Sequence, residues 1–194
     1  MLQIILIRPG STDYDQQHRI QGTLDIPLNE QGSDEVAQTV EQLAGRGIET
    51  VYAPPTQPAE QTGQAIAKGL GVKLRKLERM QNLDHGLWQG MRVEDVRQKQ
   101  PKVYRQWQEQ PENVCPPEGE MLSQAGERVR AAIMKLLKRH REGVIGLVLS
   151  EPLASLVRHF VQHVELGDLW KATNGHGSWE ILEVEPEKLL AHSS

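Results

Sequence analysis

An α/β/α sandwich around a mainly parallel sheet is the fold this sequence predicts. Apolar runs of strand length alternate with segments whose apolar residues recur at helical spacing. Residues 4–7 and 144–149 read as continuous apolar runs, as in strands covered on both faces. Residues 179–184 alternate instead, like an edge strand, so at least one strand is expected antiparallel.

The elements follow in order. Residues 4–7 make the first strand. Asn29-Glu30-Gln31-Gly32 opens a helix with the stripe Val36, Ala37, Val40, Leu43 and Ala44. Gly45 and Gly47 stop it. Thr50-Val51-Tyr52-Ala53 is a short strand, and Pro54-Pro55 breaks the pattern. A helix is expected over 58–70, where Pro58 is tolerated because first-turn amides lack intrahelical acceptors. Residues 72–77 read as a weaker strand. Residues 91–117 read as an insert of short helices, punctuated by Pro101, Pro111, Pro116 and Pro117 and anchored by Trp107. A long helix over 122–141 carries Val129, Ala132, Ile133, Leu136 and Leu137 on one face. Lys138, Arg139 and Arg141 complement its negative end. After the strand at 144–149, Leu153, Leu156, Val157, Phe160, Val161 and Val164 mark an amphipathic helix. Asn174-Gly175-His176-Gly177 is a turn before the edge strand. No repeat or linker interrupts the chain, so one domain over 1–194 is expected.

Bulk properties exclude several classes. The 194 residues suffice for a full core. A formal charge of −4 gives no electrostatic footprint for nucleic acid. No apolar run approaches the ~18 residues a membrane span needs. The start lacks a basic leader and a small-residue cleavage site, and reads as a strand. Cys115 is alone, so no intrachain disulfide forms and a cytoplasmic setting is expected. His159 and His163 share a helix face but lack further ligands at metal spacing. No metal and no cofactor are expected. The partner is an unidentified small molecule or protein, and a homodimer is left open.

Two loops at expected strand ends hold the chemistry, Arg8-Pro9-Gly10-Ser11-Thr12 and Ser150-Glu151-Pro152. The first is similar to the Arg-His-Gly-Glu-Thr signature of the histidine phosphatase superfamily, also called phosphoglycerate mutase-like. Arg19-Ile20-Gln21-Gly22, Asp25-Ile26-Pro27-Leu28-Asn29 and Gly32 resemble the loop that follows. Tyr52-Ala53-Pro54-Pro55 and Ala59-Glu60-Gln61-Thr62 resemble "SSPLxRARQTA". Asp84-His85-Gly86-Leu87-Trp88-Gln89-Gly90 resembles "DFGxWEG", and Pro117-Glu118-Gly119-Glu120 resembles "PxGES". Ser150-Glu151-Pro152 lies where the family has Ser-His-Gly. The resemblance implies a phosphoglycerate mutase-like fold. It places the family's nucleophilic His at Pro9, its second His at Glu151, its second Arg at Pro58 and its acid at Asn82. Only Arg8 remains of that set.

Each replacement has a physical consequence. The Pro9 nitrogen is a tertiary amide, neither nucleophile nor base. Asn82 releases no proton near neutral pH. Pro58 lacks the planar donor fork that binds phosphate bidentately. Glu151 puts an anion where a donor belongs, and like charges ~4 Å apart repel by roughly 4 kcal/mol at an effective dielectric of ~20. The expectation is a pseudophosphatase without catalytic residues, acting by binding a ligand or a protein. Two alternatives stay open. One is a hydrolase rebuilt around Glu151, Asp84 and His85. The other is an ordinary phosphatase or phosphoglycerate mutase by overall similarity. Ligand contacts are expected at Arg8, Ser11, Arg19, Gln21, His85 and Glu151. Asp13, Asp15, Asp84 and Glu151 make the pocket acidic unless the aspartates face water and Glu151 pairs with Arg8. Trp88 and Trp107 either line the pocket mouth or fill the core.

Overall fold

The structure, a computed structural model, describes residues 1–191. Five strands form one sheet: β1 (Leu2–Ile7), β2 (Thr50–Ala53), β3 (Lys73–Lys76), β4 (Gly143–Val148) and β5 (Trp179–Val184). Their order is β3-β2-β4-β1-β5. The first four run parallel and β5 lies antiparallel to β1. This is the expected mainly parallel sheet with an antiparallel edge.

The helices among the described residues are α1 (Asp13–Gln16), α2 (Glu30–Leu43), α3 (Gln57–Leu70), α4 (Val93–Lys99), α5 (Pro101–Glu109), α6 (Leu122–Arg139), α7 (Leu153–Gln162), α8 (Leu169–Ala172) and α9 (Pro186–Ala191). Alternation along the strands divides the core. Ile4, Leu6, Tyr52, Ile145, Leu147 and Leu182 face α6, α7 and the aromatic cluster around Trp107. Ile5, Ile7, Val51, Ala53 and Val148 face α2 and α3. Helices on both faces make the three layers.

Local chemistry sets the boundaries. The Asn29 side chain accepts from the Gly32 amide at 2.8 Å and caps α2. Gly71, at φ 68°, ends α3 in the left-handed region. Gly32 serves packing: a Cβ there would stand 2.0 Å from the Ser11 carbonyl oxygen. Its absence lets the start of α2 press against the loop after β1.

Some expectations shift. The helix read through Val164 ends at Gln162, because His163 takes φ 57° as its C-cap, and Val164 is exposed. The helix read over 122–141 ends at Arg139. Helices α1, α8 and α9 were not anticipated. Each is short, so periodicity carries little signal there. No helix among the described residues is long and apolar enough to cross a membrane.

Candidate active site

Register brings the loops together. Ile7 pairs with Val148 across β1 and β4, and with Trp179 across β1 and β5. Residues 8–12, 150–152 and 174–178 therefore leave the sheet side by side at one edge. The Arg8 amide donates to Ser178 O at 2.9 Å, and the Gly177 amide donates to Pro9 O at 3.1 Å. A cleft of about 480 Å³ opens there. That is the usual ligand position in a sheet of this kind.

Arg8 and Glu151 meet in its wall. Arg8 Nε and Nη2 lie 2.7 and 2.6 Å from Glu151 Oε1. The other oxygen, Oε2, accepts from the Ser155 amide at 3.1 Å. Both side chains are largely buried, at 13% and 4% exposure. Each neutralises the other, since either alone would be a costly sheltered charge. Arg8 Nη1 makes a looser contact of 3.5 Å with Glu180. The pair leaves the cleft open beside it.

The remaining expected contacts divide. Arg19 and Gln21 line the cleft, as do Pro9, Pro58 and Asn82. Arg19 Nη1 donates to Gly90 O at 2.6 Å, and Gln21 Oε1 lies 3.0 Å from Thr12 Oγ1 and shares its one hydroxyl proton with Asp15. Ser11 is a correction. It is 3% exposed and absent from the lining, because its amide and hydroxyl are both held by the Glu35 carboxylate at 2.8–2.9 Å. Asp84 is also outside the lining, and its Oδ1 accepts from the Gly86 amide. Asp13 is likewise absent from the lining, whereas Asp15 joins it.

His85 lines the cleft from within the core, 7% exposed. Its ring lies 5.5 Å from Trp107 and 6.4 Å from Trp88, centroid to centroid. Burial pushes its pKa down to about 4, against the upward pull of Asp84 and Glu120. The ring is neutral at pH 7, and Nδ1 is buried without a partner. Trp107 reaches the cleft, while Trp88 is absent from its lining and fills the core.

Several lining residues lie outside the expected ligand contacts, Asp15 among them although it counts with the expected pocket acids. Asp15 is positioned by a capping box: Thr12 N and Oγ1 donate to its Oδ2 at 2.8 and 2.9 Å. The Thr-x-x-Asp spacing was a usable signal. His18 and His176 also line the cleft. In the sequence His176 shows only as part of the turn over 174–177. Trp170 arrives on α8, stacked on Tyr104 at 5.1 Å. The His159–His163 pair is broken, since His163 lies outside the helix and His159 Nδ1 donates to Val164 O. Among the described residues, no group of three or more His, Cys, Asp or Glu converges as metal ligands.

The chain belongs to the histidine phosphatase superfamily, whose branch 1 profile matches residues 4–193. Phosphoserine phosphatase 1 of Hydrogenobacter thermophilus is 27% identical over 189 residues, covering 97% of this chain and 89% of that protein. A Salmonella arizonae protein named probable phosphoglycerate mutase GpmB is 28% identical over 138 residues, 71% of this chain and 64% of its own length. The mycobacterial glucosyl-3-phosphoglycerate phosphatase Rv2419c, solved with VO3, superposes with a TM-score of 0.82. It is 22% identical and covers 93% of this chain and 90% of its own, a likeness of fold. These names correct the expectation of a pseudophosphatase. Relatives matched over most of this chain are named as a phosphatase and a mutase, which favours the alternative of an active phosphatase.

Proposed function

We propose that the chain is a phosphatase that hydrolyses a phosphate monoester of a small molecule in this cleft, without a phosphohistidine at residue 9. The supporting observation is the match to an enzyme-named relative over 97% of the chain, together with an open cleft that keeps Arg8 in its wall. Proline offers no nucleophile and Asn82 no acidic proton, so water attacks phosphorus directly. The leaving oxygen takes its proton from solvent. Such a reaction asks the protein chiefly for positioning and electrostatic stabilisation.

Arg8 supplies that stabilisation. Glu151 Oε1 holds the Nε and Nη2 edge of its guanidinium, and phosphate competes with Glu180 at Nη1. Arg19 and Lys171 add positive charge, while Asp15, Glu94, Glu151 and Asp168 on the same lining keep phosphate affinity modest. Discrimination therefore falls on the leaving group. Tyr104, Trp107 and Trp170 offer it an apolar, planar wall. We treat 1–194 as one phosphoglycerate mutase-like domain, with the helices of 91–117 as the insert that supplies part of this wall.

Release of inorganic phosphate from phosphoserine, phosphoglycerate and p-nitrophenyl phosphate tests the reading. Wild type turns over at least one of them, and Arg8→Met lowers kcat/KM by about 100-fold or more. Release at background level from all three, or equal release by both proteins, overturns it.

A further inference from the structure

We propose that His176, oriented by Asp15, is the general base that activates the attacking water. This rests on the phosphatase reading above and deepens it: that reading leaves the proton of the water without an acceptor. Glu151 is poorly placed for the task, because Oε1 is held by Arg8 and Oε2 by the Ser155 amide. His85 is a weak base, buried and with its pKa depressed.

His176 differs on each count. It stands on the turn between α8 and β5, and the next residue donates its amide to Pro9 O at 3.1 Å. The turn is thus seated directly on the residue that replaces the family's imidazole. Gly175 packs so closely that a Cβ there would meet Arg8 Cδ at 3.0 Å. His176 lines the same cleft as Arg8, with 27% of its side chain accessible. Its Nε2 lies 3.6 Å from Asp15 Oδ1. With the imidazole neutral that is a charge–dipole contact, and catalytic hydrogen bonds are often long before substrate binds. Asp15 is in turn anchored through its other oxygen by Thr12, which leaves Oδ1 for the histidine. Carboxylate, imidazole and cleft are arranged as a base with its orienting partner.

The imidazole stands beside position 9 rather than in it. That suits action through a water better than direct attack on phosphorus. In the step, His176 Nδ1 takes a proton from water as the water oxygen bonds to phosphorus. The bond from phosphorus to the ester oxygen breaks, and that oxygen leaves with the electron pair and is protonated by solvent. The imidazolium then returns its proton to bulk water. The products are an alcohol and inorganic phosphate.

Two measurements decide it. In steady-state kinetics with p-nitrophenyl phosphate, His176→Ala lowers kcat by about 100-fold with KM little changed, and added imidazole restores part of the rate. Asp15→Asn lowers kcat by a smaller factor, about tenfold. Restoration by imidazole separates a chemical role from a merely structural one. The second measurement needs no turnover: side-chain NMR of the histidines during titration with inorganic vanadate, with His18→Gln used for assignment. The His176 signals move saturably with vanadate. A His176→Ala enzyme that keeps more than a third of kcat, or His176 signals indifferent to bound vanadate, overturns the assignment. If wild type hydrolyses nothing, the phosphatase reading fails and vanadate still decides whether His176 faces the anion site.

Discussion

Glu151 sets the electrostatics of the cleft at the residue scale. It occupies the strongest donor edge of Arg8 and brings a negative charge toward any bound phosphate. Glu151→Gln keeps the shape and removes the charge. Inorganic phosphate should then inhibit at least tenfold more tightly, since even a screened fraction of the ~4 kcal/mol repulsion between neighbouring charges exceeds the ~1.4 kcal/mol that a factor of ten requires. Competitive inhibition constants for the two proteins check this. His85 supplies a second prediction. Its folded pKa lies below that of an exposed imidazole, so the unfolded chain takes up a proton first as pH falls. The stability it confers is complete above about pH 6.5 and is lost as pH falls toward 4, by roughly 3 kcal/mol in all. His85→Phe removes this part of the acid sensitivity and costs little at pH 7, because Nδ1 has no partner to lose. Urea melts across that pH range measure the difference.

Among the elements, α6 does more than fill the core. Its Arg128 donates Nε and Nη2 to Glu120 at 2.8 and 3.0 Å and reaches the carbonyls of Arg79, Gln81 and Asn82. One side chain thus pins the loop that carries Asn82 and then His85 to the cleft. Arg128→Ala should destabilise the fold by about 2–3 kcal/mol, because loop carbonyls lose a charged donor, and equilibrium unfolding reads the loss. The sequence showed α6 through its stripe of Val129, Ile133 and Leu136. It gave no sign of Arg128, because a polar residue on a helix announces its exposed face and not a partner far along the chain. The short helix α8 was hidden for a related reason. Asp168 accepts from the Trp170 amide at 3.0 Å and caps it, yet a single turn leaves no periodicity to read.

Across the whole molecule, the architecture was legible and the chemistry only in part. Sheet, layers and family followed from apolar runs and motif order, because burial imposes a pattern on many residues together. The site depends on a few side chains brought together by register. Arg8 and Glu151 were readable because each lies in the loop that follows an obvious strand. Ser11 was misread, because a buried carboxylate contact from Glu35 outweighs its nearness to the motif. Asp15 and His176 come from opposite ends of the chain, and the pairing of β5 with β1 and the loop bonds beside it join them.

The outermost strand β3 has a bearing on colloidal behaviour. Its four residues are Lys73, Leu74, Arg75 and Lys76, and the three cations are exposed on this edge strand. Two copies zippering along that margin would crowd like charge against like charge. Replacing all three with threonine should therefore yield concentration-dependent self-association by light scattering in low-salt buffer, where the wild-type chain stays dispersed.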